Sequence, residues 1–147
     1  MNLFTVRSGY ALRALAEIAL WHEAGHPGPL AVEQISRRQA VPRKFLEQIL
    51  VSLKRAGLVR ARRGQAGGYT LAQAPEEIRL LDVLSALESA PGPSRERQES
   101  PPTPAARAVR ETFGEIEESL RSSLEQRTLA ALVKNIHRPS GRAMYYI

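Results

Sequence analysis

Four groups of residues in this chain have the types and spacing to do chemistry. His22-Glu23-Ala24-Gly25-His26 matches the H-E-x-x-H arrangement, in which two imidazoles one helical turn apart hold zinc and the glutamate is the general base. That chemistry needs both histidines on one face of an unbroken helix, and a third ligand. Here Gly25 falls inside the pattern and Pro27-Gly28-Pro29 follows at once. The segment therefore reads as an exposed helix end, where histidines sit favourably beside the C-terminal dipole. His137 is distant in sequence, so no metal site and no catalytic residue are expected. The second group, Arg63-Gly64-Gln65-Ala66-Gly67-Gly68, is glycine-rich as phosphate-cradling loops are. Its spacing fits neither the Walker pattern nor the dinucleotide fingerprint, and no helix follows it.

The other two groups suit a nucleic acid. Pro42, Arg43, Lys44, Glu47, Gln48 and Ser52 occupy the polar side and N-terminal end of one helical repeat. Arg and Lys can donate to guanine, Gln48 can pair in two-pronged fashion with adenine, and Glu47 can accept from cytosine N4. Arg60, Arg62 and Arg63, with Gly64 and Gln65, form a basic turn whose arginines suit a narrow minor groove and whose glycines let backbone approach closely. Lys54 and Arg55, with Arg43, Lys44 and Arg62, are placed to meet phosphates. The rival reading of each group is an ordinary solvated polar face.

Charge supports the nucleic-acid reading. The 147 residues carry a net charge of +6, but residues 1–75 alone balance to +7 and the remainder to −1. A basic half on a nearly neutral half suits a polyanion. There is no cysteine, which removes disulfides, thiolate zinc sites and cysteine-ligated iron–sulfur clusters. No apolar run is long enough to span a bilayer and no signal-peptide pattern opens the chain, so a cytoplasmic protein with no membrane partner is expected.

These groups need elements to position them. Thr5 can cap a helix from about Val6 to Glu23, with Tyr10, Ala11, Ala14, Leu15, Ile18 and Trp21 on a broad apolar arc and Arg13 paired with Glu17 on the other side. A short helix over 31–38 turns Val32 and Ile35 inward. Pro42 opens a third helix as its first residue, which buries Leu46, Ile49, Leu50 and Leu53 and stops at Gly57. Two β-prone runs, 58–61 and 69–71, flank the basic turn as a hairpin. A fourth helix is predicted over 76–87, and residues 91–104, with five of the ten prolines, form a loop. A long helix over 105–126 carries Val109, Phe113, Ile116, Leu120 and Leu124 in a narrow stripe like a coiled-coil seam. Core packing within one chain is the stripe's rival reading. Thr128 can cap a last helix, and the chain ends in the apolar tail Met144-Tyr145-Tyr146-Ile147.

Tyr10-Ala11-Leu12-Arg13-Ala14-Leu15, Phe45-Leu46-Glu47-Gln48-Ile49-Leu50, Leu53-Lys54-Arg55-Ala56-Gly57-Leu58-Val59 and Arg63-Gly64-x-x-Gly67-Gly68-Tyr69-x-Leu71 fall in order. Together they resemble the Rrf2 family of bacterial winged-helix repressors, from about residue 1 to 90. The resemblance implies homodimers that bind imperfect palindromes, with Glu47 and Gln48 on the DNA-reading helix. Arg43 and Lys44 stand where relatives carry small polar residues, which implies a different target sequence. Many members hold an iron–sulfur cluster by three cysteines in the loop before the long helix. The corresponding Pro91–Pro104 has neither Cys nor His, so the likeness is to the cluster-free branch and no cofactor is expected.

The fold expected is mainly α with a small β-hairpin: a winged helix-turn-helix domain over 1–90, a Pro-rich loop over 91–104, and a dimerisation helix with C-terminal tail over 105–147. The function expected is a sequence-specific regulator, a repressor and homodimer on a palindromic operator in double-stranded DNA. An effector, ligand or protein, is left open. The competing readings are a winged-helix protein-interaction module without DNA readout, and a metal-dependent hydrolase built on His22 and His26.

Overall fold

Thr5 begins the first helix by the chemistry its position suggests. Its hydroxyl accepts from the Ser8 N–H, and the Ser8 hydroxyl accepts from the Thr5 N–H, a reciprocal cap that opens α1 (Val6–Glu23). The structure is a computed structural model that describes residues 3–88 and 103–138. Ala11, Ala14, Leu15 and Ile18 are buried, because α1 is covered by α2 (Val32–Gln39), α3 (Arg43–Arg55), α4 (Leu80–Leu87), α6 (Leu129–Ile136) and the strand β2 (Gly68–Leu71). Its polar side differs from expectation. Arg13 does not pair with Glu17; its guanidinium donates to the Gln39 side chain and carbonyl, while Glu17 accepts from Gln39 and pairs with Arg38 at 3.3 Å. The C-terminal end of α2, packed on α1, outcompetes the local i,i+4 partner.

The turn between α2 and α3 rests on Ala40, whose φ of 51° is left-handed. The Val41 N–H and the Ser36 hydroxyl both close it, onto the Ser36 carbonyl and the Val41 carbonyl respectively. Pro42 precedes α3 as its cap, with ψ of 130°, and is not its first residue. The apolar face is as expected: Leu46, Ile49, Leu50 and Leu53 are all buried. At the other end Gly57 has φ of 75°, its N–H bonds Lys54 and the Leu58 N–H bonds Leu53, the paired bonds of a left-handed helix stop.

β1 (Val59–Arg62) pairs antiparallel with β2, in the register Val59↔Leu71 to Arg62↔Gly68. A third edge was not foreseen: Leu30 bridges Tyr69, each N–H bonding the other's carbonyl at 3.0 and 2.9 Å. This contact gives two glycines a role unlike the one their sequence suggested. A Cβ on Gly68 would lie 2.2 Å from the Leu30 carbonyl oxygen, and one on Gly67 would lie 2.3 Å from that of Arg62. They serve close packing within the hairpin and against Leu30.

α4 begins at Leu80 and not at residue 76. Ile78 and Arg79 are drawn into extended backbone by the segment before α6: Arg79 bridges Thr128, the Leu80 N–H bonds the Arg127 carbonyl, and the Leu129 N–H bonds the Ile78 carbonyl. α5 (Pro104–Gln126) is capped by Thr103, so 103 and 104 belong to the helix and not to the loop expected over 91–104. The rest of that loop from residue 91 to 102, and the tail Met144–Ile147, lie outside the described residues. Thr128 caps α6, accepting from the Ala131 N–H. Leu129 and Val133 enter the same core as Leu15 and Leu50, so the N-terminal segment does not close its core alone. Leu3, Leu84 and Leu124 form a smaller cluster where α4 meets α5.

Candidate nucleic-acid interface

Burial of four apolar residues on one face of α3 turns its opposite face outward. Arg43, Lys44, Glu47 and Gln48 are all exposed there, and Pro42 is exposed just before them. Lys44, Glu47, Gln48 and Arg55 border a hollow of about 510 Å³ with Ser52 and Val51, and Arg7 of α1 completes the rim. Arg7 was not foreseen. Its guanidinium reaches the Ser52 hydroxyl at 3.3 Å and the Leu87 carbonyl at 3.4 Å. Nothing local to residue 7 signals this; only the packing of α1 across α3 brings it there. Lys54 is directed elsewhere, sharing a second hollow with Gly57, Arg60 and Gln73 at the base of the hairpin. Arg62, Arg63, Gly64 and Gln65 are exposed at its tip.

The residues on α3 are not equally free. The Arg43 guanidinium bonds Glu47 at 3.0 Å and meets Glu33 of α2 at 2.7 Å. The hydrogen bond it donates to Glu47, and next the charge of Glu33, hold Arg43 above the ordinary arginine range. Two of the candidate readers therefore occupy each other, while among the described residues Lys44 and Gln48 make no side-chain bond to a protein partner.

The unbroken helix that the H-E-x-x-H arrangement needs does not run through His26. α1 ends at Glu23, Gly25 has φ of 89°, and the His26 ring stacks on Trp21 with centroids 3.6 Å apart. His137, distant in sequence, is brought to Glu23 at 3.1 Å. Among the described residues no group of three or more His, Asp or Glu is arranged to hold a metal. On α5 the stripe divides. Val109, Phe113 and Ile116 are 51%, 62% and 59% exposed, whereas Leu124 is only 5% exposed, packed on Leu3 and Leu84, with Leu120 beside it.

This outward polar helix beside a short basic hairpin has counterparts. The sequence profile described as "Iron-dependent Transcriptional regulator", that of Rrf2, matches residues 4–135. The chain belongs to the Rrf2 family. Protein rrf2 of Nitratidesulfovibrio vulgaris is 34% identical over 133 residues, covering 89% of this chain and 87% of that one. CymR of Bacillus subtilis is 28% identical over 97% of this chain and 98% of its own. A match to slr0846 of Synechocystis is 46% identical but confined to 84 residues, so this chain spans 55% of that relative's length. Among solved structures, the B. subtilis CymR, "the Global Cysteine Regulator", superposes with a TM-score of 0.72 at 27% identity, covering 92% of this chain and 98% of that one. "T. potens IscR" gives 0.71 at 27%, covering 97% and 95%. The fold is the winged helix-turn-helix, and Rrf2 members are DNA-binding transcriptional regulators, not enzymes.

A cysteine-ligated iron–sulfur cluster does not fit this member. The chain has no cysteine, and Pro91–Pro104 has no histidine. The soft thiolate donors that hold iron–sulfur clusters are absent. No helix among the described residues is long and apolar enough to cross a membrane.

Proposed function

We propose that this Rrf2 member is a homodimeric repressor that reads a palindromic operator without an iron–sulfur cluster. α3 would lie in the major groove by its N-terminal half, with Gln48 and Lys44 as the free readers and Glu47 released from Arg43 on docking. Arg63 would enter the adjacent minor groove, with Arg62, Gly64 and Gln65 beside it, while Arg7, Arg55, Lys54 and Arg60 would meet phosphates. The observation that carries this reading is the outward face of α3: its donors and acceptors ring a hollow that Arg7 completes, over a fully buried apolar face. The paired copy is supported by the exposed Val109, Phe113 and Ile116 on α5.

The test is binding to the duplex upstream of the protein's own gene against a random duplex, across a salt series. Gln48→Ala should cost about 1–3 kcal/mol on the operator and relax one base preference. Arg7→Ala should weaken both duplexes alike and lower the salt slope by about one. Equal loss on both duplexes for Gln48→Ala would remove it from readout. A wild-type chain that prefers neither duplex would point to a protein-interaction module.

A further inference from the structure

A cavity of about 540 Å³ lies between the C-terminal end of α1, the strand β2 and the segment 72–77, a volume usual for small-molecule sites. It is separate from the DNA-facing hollow and from the exposed face of α5. Ile18, Trp21, Pro27, Tyr69 and Leu71 give it apolar and aromatic walls. Trp21 is a fixed wall: its indole N–H donates to the Gly28 carbonyl at 2.9 Å, His26 stacks on the ring at an interplanar angle of 13°, and the Arg38 guanidinium lies 5.7 Å from the ring centroid. In a chain of net charge +6, no Lys or Arg lines this cavity. Its titratable side chains besides Tyr69 are His22, counted as neutral, and Glu77, a carboxylate with no ion-pair partner among the described residues.

That combination selects a ligand by chemistry. Aromatic and apolar walls favour a flat apolar body. An unpaired carboxylate at the rim favours a protonated amine and repels an acid. The cavity also touches the wing. Tyr69 exchanges both backbone bonds with Leu30, and β2 pairs with β1 up to Arg62↔Gly68, next to the tip that carries Arg63. A molecule pressing on residues 69–71 therefore acts on the strand that holds the tip, and any effect it has on DNA affinity is matched by an equal effect of DNA on its own binding.

We propose that this cavity is a sensor site for a flat aromatic molecule bearing a cationic amine, whose binding changes the wing's hold on DNA. The change in DNA affinity rests on the proposed DNA-reading function; the binding does not. The test titrates 1-naphthylmethylamine and 1-naphthylacetate, matched in ring and opposite in charge, into the full chain by calorimetry. The amine should bind at least about tenfold more tightly than the acid, Glu77→Gln should abolish that difference, and Ala74→Phe, which fills the rim, should weaken both. With the amine saturating, affinity for the upstream duplex should change at least about threefold in the wild type and not in Ala74→Phe. Equal binding of amine and acid, binding of neither, or a preference that survives Glu77→Gln overturns the site while duplex binding stands. Amine binding that leaves duplex affinity unmoved overturns the sensing alone. A chain that binds the amine but no duplex overturns the sensing together with the DNA-reading function.

Discussion

Arg43 shows how an exposed residue can be both available and occupied. Glu47 and Glu33 hold it between α3 and α2, so in the free protein its charge is balanced by two exposed carboxylates. Exposed pairs of this kind contribute little and exchange readily, so docking on DNA can redirect Arg43 at small cost. Glu33 remains as a negative charge beside the proposed reading face. Glu33→Gln is therefore expected to raise affinity for operator and random duplex alike, by about two- to fivefold, and to steepen the salt slope toward one further phosphate contact. Fluorescence anisotropy across a salt series measures both. A gain on the operator alone would make Glu33 part of sequence readout instead of a brake on non-specific binding.

At the level of elements, the turn between α2 and α3 carries avoidable strain. Ala40 sits at φ 51° and ψ 43°, a conformation that costs a residue with a Cβ roughly 1–2 kcal/mol. Glycine removes that cost and adds roughly 0.5–1 kcal/mol of unfolded-state entropy. Ala40→Gly should thus gain about 0.5–1 kcal/mol and raise the thermal midpoint by about 1–4 °C, with operator affinity unchanged because the angle of α3 is kept. A lower midpoint by calorimetry would show that the turn is not strained. Gly68→Ala should do the reverse. Its Cβ would meet the backbone of Leu30, so the hairpin must shift, and amide exchange at Tyr69 should quicken while α3 stays protected. The elements readable from sequence were those set by neighbours in the chain: the Thr5 and Thr128 caps, the stop at Gly57 and the buried face of α3. What escaped was set by distant partners. Residues 78–80 lose their helical turn to 127–129, Leu30 finds Tyr69, and Arg7 finds Ser52, and no local pattern encodes those meetings.

For the whole molecule, position along α5 decides which apolar residues are left for a second copy. Steps of four and three, from Val109 to Phe113 to Ile116, keep close to one line on a helix of 3.6 residues per turn. The next two steps, to Leu120 and Leu124, are both four, which carries Leu124 about 80° round the helix from Ile116 but leaves it only about 20° from Phe113. Position along the helix, and not rotation, therefore accounts for the split stripe: Leu124 lies where Leu3 and Leu84 of its own chain meet α5, while Phe113 and Ile116, about two to three turns earlier, face outward. The coiled-coil seam read from the sequence is therefore shorter than five residues, and its outward part is the surface that a partner would cover. Phe113→Asp places a charge at its centre and leaves the chain's own core untouched. Sedimentation should then report one chain where the wild type gives two. Because two linked half-site contacts bind far more tightly than one, operator affinity should fall by about a hundredfold or more while the thermal stability of the winged domain is kept. Leu124→Asp should act differently, lowering stability by opening the cluster with Leu3 and Leu84. A Phe113→Asp protein that still sediments as two chains would move the interface off α5, and with it the part of the molecule that spaces the two reading helices about one turn of DNA apart.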